Sequence, residues 1–432
     1  MNRSQQFDAI IVGSGPGGAT VARELSRRGK KVLIAEWGRY RPIRGSVVQA
    51  VASVGIPGKG LLFTPDFASV YRGIISGGST IFYYGTAFDP PVEMFKNYGI
   101  DISREVSEAR EELPIGMLND ELLGPMASRI MNSARDLGYE WHKLPKFIDQ
   151  NKCKPHCWRC TYGCPYGAKW SARMYVDQSL ASGSEIIDSF RVEKVLIENG
   201  KAAGIEGRHK GRTVRFESPI VVVSAGGIGS PQILRNTGIE GCGRDFFFDP
   251  LIAVMGTADV VPAGGREIPM ATGVHMEEDG YLMTDMTLTA PLYSLFNLQV
   301  FRPHKLISHS RTLTIMIKAR DDLGGHLSPS GAVKKRIEAE DRKKLKHGFE
   351  RAKKILTHAG AREVYQSRYL AAHPGGTVKI GQVVDSNLQS SIEQLYVCDC
   401  SVIPEAWGLP PTFSLVALGK RLAKQILKHD QS

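Results

Sequence analysis

The sequence predicts an α/β protein whose core is a Rossmann-like, parallel-sheet nucleotide-binding unit, joined to a smaller sheet-built unit. Two observations lead there. From Phe7 to Glu36 an apolar run (Ala9, Ile10, Ile11, Val12) leads into a Gly-x-Gly-x-x-Gly turn at Gly13, Gly15 and Gly18. A helical stretch from Ala19 to Arg28 and a second strand from Lys31 to Ala35 follow. A further apolar run, Pro219 to Ser224, also ends in a glycine turn, Ala225 to Pro231. Open α/β sheets hold their ligands at such carboxyl ends of strands.

In the first turn each glycine has its own task. Gly13 makes the tight turn, Gly15 lets a pyrophosphate approach the backbone, and Gly18 lets the helix pack close to the strand. The helix N-terminus offers unpaired N–H groups and partial positive charge to phosphate. Glu36 stands where an acid accepts ribose hydroxyls. An acid there disfavours the 2′-phosphate of NADP, which leaves FAD or NAD.

With 432 residues the chain can bury a large core, and length alone suggests two or three domains. Its 55 basic and 44 acidic residues give a net charge of +11. That is compatible with an anionic partner or membrane surface, and equally with a solvated basic face. No nucleic-acid module is recognisable. Met1 to Gln6 is polar, and no run of about 20 apolar residues suggests a membrane span. The expectation is a cytoplasmic protein, with peripheral membrane contact left open.

Trp37 to Ser69 reads as an irregular Gly- and Pro-rich excursion over a ligand. A second glycine loop follows, Gly77-Gly78-Ser79-Thr80, leading into Phe82, Tyr83 and Tyr84. Residues 102–138 have helical character. Across 185–223 strand-like alternation is punctuated by Asn199-Gly200 and Lys210-Gly211, which predict hairpins. Residues 250–318 are read as a separate, largely strand-built sheet carrying the substrate pocket. Lys334 to Thr357 is a basic amphipathic helix, Leu395 to Asp399 a strand, and Thr412 to Leu427 a final helix.

Near the C-terminus His373-Pro-Gly-Gly-Thr377 precedes Val397-Cys-Asp399 and Gly408-Leu-Pro-Pro-Thr412. Together with the N-terminal turn, residues 77–80, Gly163 to Lys169 and Ala225 to Gly238, these motifs make the chain resemble the glucose–methanol–choline oxidoreductase family of flavoproteins. The resemblance implies FAD, held by residues 1–249 and 371–432, with a substrate domain at 250–370 and a cysteine-bearing insertion at about 150–170. It assigns Gly13, Gly15, Gly18 and Glu36 to the adenosine diphosphate, and Gly77, Gly78, Ser79 and Thr80 to the pyrophosphate and flavin. Val192 takes the position whose backbone meets adenine. Ala225 opens the second cofactor turn, and Asp399, Pro411 and Thr412 approach the ribityl chain and ring.

The family's chemistry is hydride transfer from an alcohol carbon to flavin N5, with a base taking the hydroxyl proton. His373 matches the family's catalytic histidine, and histidine's ordinary pKa near 6.5 suits the task. The chain departs from the pattern twice. Pro410 stands where the family usually has a second His or Asn, and Tyr83 stands where an Asn is common. Tyr83 can offer a hydroxyl near the ligand or simply pack.

Four cysteines fall within twelve residues, as Cys153-x3-Cys157-x2-Cys160-x3-Cys164-Pro165. This is close to the ferredoxin-type run, one residue longer in its first gap. Zinc and unmetallated thiols are the alternatives. Some sugar dehydrogenases of the family are similar here and carry an iron–sulfur cluster, which favours [4Fe–4S] or [3Fe–4S]. Such a cluster implies a dehydrogenase of alcohols or sugars feeding a one-electron acceptor, a protein or a quinone. Two rivals remain: a reductase or CH–CH redox enzyme of the same fold, and an electron-transfer subunit with little catalysis of its own.

Overall fold

The computed structural model describes residues 7–260 and 265–429. The apolar run Ala9–Val12 forms a strand with all four residues buried, and it pairs in parallel with Val32–Ala35 on one side and Val221–Val223 on the other. Val221–Val223 pairs with Leu395–Val397, and Val32–Ala35 with Glu185–Ile187, completing a five-stranded parallel sheet. Ile10 and Ile11 are fully buried. Trimming either to Ala removes about 2–5 kcal/mol of packing. Helix Pro16–Ser26 covers one face and packs on the last helix, Thr412–His429. The chain's two ends therefore meet beside the first glycine turn.

The hairpin signals correspond to a three-stranded antiparallel sheet, Phe190–Glu198, Lys201–His209 and Arg212–Glu217. Asn199 and Gly200, and Lys210 and Gly211, all have positive φ, as type I′ turns require.

The second large sheet has nine strands, in the order 61–63, 69–71, 370–371, 250–257, 312–319, 281–285, 272–276 and 142–143, with 362–366 also paired to 250–257. It takes strands from well outside 250–370. The expected run of strands over 250–318 is interrupted by two helical segments, Ala290–Gln299 and the 3-10 turns of Pro303–Arg311. Their apolar residues recur without strict alternation, so a strand reading had little support there. Helix Ala339–His358 covers one face of the sheet with Leu345, Ala352, Ile355 and Leu356. It begins on a capping box formed by Glu338 and Asp341. The region 102–138 is two helices, Ser103–Glu112 and Pro125–Asp136, separated by the short strand Ile115–Met117.

Candidate active site

One cavity of about 1070 Å³ runs from the parallel sheet to the nine-stranded sheet. That is at the top of the ~300–1,000 Å³ range of small-molecule pockets. Of the residues singled out from sequence, Gly13, Gly15, Glu36, Gly78, Ser79, Thr80, Val192, Ala225, Asp399, Pro411, Thr412 and His373 all line it. Gly18, Gly77 and the four clustered cysteines do not. A Cβ on Gly18 would lie 2.4 Å from the Gly13 carbonyl oxygen, so this glycine is required by packing beneath the turn. A Cβ on Gly15 would meet nothing within 4 Å: its open side is the cavity itself.

The nucleotide end is built from backbone and small side chains. Glu36 is buried. Its Oε2 accepts from the Ser14 amide (3.0 Å) and hydroxyl (2.5 Å), and its Oε1 from the Gly38 amide (2.6 Å). Burial raises its pKa, and these hydrogen bonds oppose the rise. Ser14 Oγ in turn accepts from the Gly77 amide at 3.0 Å, tying the two glycine loops together. The helix that starts at Pro16 has no side-chain cap and no acid in its first turn, so its N–H groups are open to an anion. Asp399 fastens the other glycine turn: Oδ2 accepts from Gly226 N (2.8 Å) and Ser230 Oγ (2.5 Å), and Oδ1 from Ser401 N (2.7 Å).

These features fit the adenosine, pyrophosphate and ribityl parts of FAD. Glu36 supplies an acceptor, Gly15 an unobstructed approach, and the helix start a cradle for phosphate.

The opposite end carries charge. His373 follows strand Leu370–Ala371, and Asp249 precedes strand Pro250–Thr257. Pro250 pairs with Ala371, and Leu251 with Lys318 of the neighbouring strand Thr312–Ala319. Sheet register therefore brings three distant residues to one place. His373 Nδ1 lies 3.0 Å from Asp249 Oδ2, and Lys318 Nζ lies 3.0 Å from the same oxygen. Asp249 and Lys318 side chains are each 2% exposed, whereas that of His373 is 27% exposed, on the cavity wall.

A carboxylate at Nδ1 accepts a hydrogen bond, so the proton sits on Nδ1 and Nε2 keeps its lone pair. Lys318 Nζ also lies 3.4 Å from Nδ1, but Nδ1 is then already a donor, and the contact is one of charge. Burial and the Lys318 charge hold the His373 pKa below its ordinary value, against the pull of Asp249. Burial pushes the Asp249 carboxyl up, yet Lys318 and His373 together bring it below the usual value. The net effect favours the neutral imidazole.

A second pair supports the first. Asp321 accepts from the backbone amides of Phe248 (3.1 Å) and Asp249 (3.0 Å) and pairs with Lys335 at 3.2 Å. Burial pushes its pKa up to about 7. Both His373 and Asp249 have left-handed backbones, with φ of 51° and 42°. Such residues cost on the order of 1 kcal/mol each and persist where surrounding structure fixes them.

Apolar side chains, Leu251, Met270, Met286, Leu292, Phe296, Met316 and Leu370, also line the cavity. Pro410 lines the cavity and brings no hydrogen-bonding group. Tyr83 lines the cavity, and its hydroxyl donates to the Trp170 carbonyl at 2.9 Å, which commits its proton and leaves the oxygen able to accept.

The cysteines occupy a loop closed at its neck by the Asp149 amide on the Ala168 carbonyl (2.8 Å) and the Ile148–Lys169 bridge. Lys169 Nζ donates to the carbonyls of Ile81, Tyr83 and Cys160. Burial lowers the pKa of Lys169, and of Lys146 nearby, to about 8. Burial and the neighbouring thiols push Cys153 up to about 12. Among the described residues no three His, Cys, Asp or Glu side chains are gathered to hold a metal ion. Neither a zinc site nor the expected iron–sulfur site at Cys153, Cys157, Cys160 and Cys164 is therefore preformed among the described residues. Thr161 and Tyr162, next to Cys160, line the large cavity.

Sequence reasoning missed Asp249, Lys318 and Ser14. One signal was available for Lys318, a lone charge at the end of an otherwise apolar strand run, Thr312–Ala319.

Comparisons with known proteins agree with this architecture. Two family models, both described as GMC oxidoreductase, match residues 70–250 and 317–419. The chain is 31% identical to the uncharacterized protein MJ1450 of Methanocaldococcus jannaschii, over 98% of this chain and 100% of that one. It is 22% identical to the long-chain-alcohol oxidase FAO3 of Arabidopsis thaliana, over 98% of this chain and 68% of the other. Pyridoxine 4-oxidase from Mesorbium loti superposes with a TM-score of 0.76 at 17% identity, covering 98% and 99% of the two chains. A formate oxidase superposes with a TM-score of 0.78 at 14% identity, covering both chains fully. With its glycine turns, buried Glu36 and histidine-bearing sheet end arranged about one cavity, the chain belongs to the GMC oxidoreductase family of FAD-dependent enzymes.

Proposed function

We propose that this enzyme oxidises the CH–OH group of an apolar alcohol, with His373 as the base. The observation that carries this reading is His373 itself, oriented by Asp249 through Nδ1 so that Nε2 is free on the cavity wall. Bound FAD supplies the hydride acceptor. Gly13, Ser14, Gly15 and Glu36 would hold its adenosine diphosphate end, and Thr80, Asp399, Pro411 and Thr412 its ribityl and ring end.

His373 Nε2 takes the hydroxyl proton, and Asp249 stabilises the imidazolium that results. Pro410 leaves the substrate oxygen without a second side-chain hydrogen bond, and Lys318 acts on it through charge alone. Its ammonium is buried beside His373 and paired with Asp249, and its positive charge close to the site favours negative charge developing on the substrate oxygen. The apolar walls select the carbon chain, in keeping with the likeness to a long-chain-alcohol oxidase.

The test is anaerobic flavin bleaching across alcohols of increasing chain length, ketones and enones. Alcohols should reduce the flavin, longer ones at lower concentration. Bleaching by none of them, with oxidation of reduced flavin by enones or ketones, would replace this reading with a reductase. Pro410 is the residue that favours that alternative.

For Cys153, Cys157, Cys160 and Cys164 the reading is an iron–sulfur cluster. It is supported by four thiols in one closed loop next to the flavin cavity, with two buried lysines to offset thiolate charge. The cluster would pass electrons singly to an acceptor. Iron and acid-labile sulfide in anaerobically purified protein are the expected result, and their absence from such a preparation removes the cluster from the scheme.

A further inference from the structure

Two segments that contribute to the cavity wall also carry apolar side chains exposed to solvent. Helix Val47–Val54 leaves Val48 80% and Val51 57% exposed. The helical segments spanning 290–311 leave Leu298 54%, Phe301 84% and Ile307 86% exposed. Val51 and Leu295 are both exposed and both line the cavity, which places the two ridges at the same opening.

Charge along these segments is one-sided. No acid occurs between Glu36 and Asp66, a stretch that carries Arg39, Arg41, Arg44 and Lys59. None occurs from Met286 to Arg320, where Arg302, Lys305 and Arg311 lie. Lys305 is already engaged by Glu363 at 2.6 Å, while Arg39, Arg41, Arg44 and Arg311 are exposed. Among the described residues no helix is long and apolar enough to cross a membrane.

From these observations we infer that the cavity mouth docks on an anionic lipid bilayer, with Val48, Phe301 and Ile307 entering the interface and the flanking arginines meeting lipid phosphates. A protein partner would have to match the same paired apolar ridges and be acidic around them. A bilayer supplies both features over any area and needs no shape complementarity. Passage of an apolar alcohol from the bilayer straight into the cavity rests on the function proposed above. The docking itself does not, and it is tested without turnover.

The experiment is flotation of the FAD-loaded protein with phosphatidylcholine vesicles, with and without phosphatidylglycerol. Co-flotation with the anionic vesicles, weakening as salt is raised, is expected. A triple variant, Val48→Asp, Phe301→Asp and Ile307→Asp, should lower the bound fraction by about tenfold or more. Its flavin spectrum and melting temperature should match the parent's. A variant that loses flavin is replaced by Arg41→Glu with Arg311→Glu, which should abolish the preference for anionic vesicles. Three results would overturn the proposal: no flotation, equal flotation on neutral vesicles, or a dimer in light scattering that the triple variant dissociates, which would give the face to a second copy.

Discussion

The two ends of the cavity are built on opposite principles. The nucleotide end presents backbone amides, glycines and one carboxylate positioned by hydrogen bonds from Ser14 and Gly38. The end proposed as catalytic buries an ammonium and a carboxylate beside an imidazole, and Asp249 Oδ1 has no hydrogen-bond partner among the described residues. The first is assembled from short contiguous glycine motifs. The second is costly, assembled from residues far apart in the chain, and held by sheet register. Binding can be served by shape and amides alone. Proton movement needs groups kept away from water, where charge acts strongly.

The sharpest way to break this contrast is at His373. His373→Ala should keep FAD and slow flavin reduction by about 10²–10⁴-fold in stopped-flow measurements. An unchanged rate would remove the residue from the chemistry. Asp249→Asn should cost nearly as much rate and also stability, by about 3–5 kcal/mol in denaturant titration, since Lys318 is left buried without its counter-charge.

The same two variants and Lys318→Met separate roles by pH. Base catalysis requires neutral His373, so the rate falls on the acid side through a pKa below the ordinary 6.5. Lys318 lowers that pKa and Asp249 raises it. Lys318→Met should therefore move the acid limb up and reduce the maximal rate, by about tenfold or more. In Asp249→Asn the limb should move down. Limbs that do not move would refute the coupling.

At the nucleotide end, two glycines distinguish ligand from packing. Gly15→Ala should weaken FAD binding by about tenfold or more with little change in the melting temperature of the apoprotein, because the new methyl enters ligand space. Gly18→Ala should lower that melting temperature, because its methyl meets the Gly13 carbonyl. The smallest expected effect is on acid stability. The folded pKa of His373 is depressed, so its contribution to stability is complete above 6.5 and is lost as pH falls through the folded value. In Lys318→Met this particular loss should shrink.

The same contrast explains what could be read in the sequence. The five-stranded sheet was legible from Ala9–Val12, the glycine turn and Val221–Val223, because each is a short contiguous pattern. The hairpins were legible from Asn199-Gly200 and Lys210-Gly211, whose turn geometry is local. The motif residues that line the cavity come largely from such stretches. Asp249 was not legible, because in Phe246-Phe-Phe-Asp-Pro250 it reads as a residue leaving a turn. Lys318 reads as the end of a strand. Their partnership exists only through the pairings Leu251–Lys318 and Pro250–Ala371, which no local pattern encodes. The helical segments at 290–311 were missed for a related reason: several of their apolar residues face outward, so the periodicity of a packed helix is blurred.

Ser14 deserves a last thought as a relay. One hydroxyl touches both the carboxylate at the ribose end and the amide that opens the loop facing the ring. If Glu36 exchanges that hydroxyl for a sugar, the Gly77 amide loses part of its anchor, and the two halves of cofactor capture cease to be separate events. Adenosine alone, which lacks the diphosphate, should then alter hydrogen exchange at Gly77, and Ser14→Ala should silence that signal.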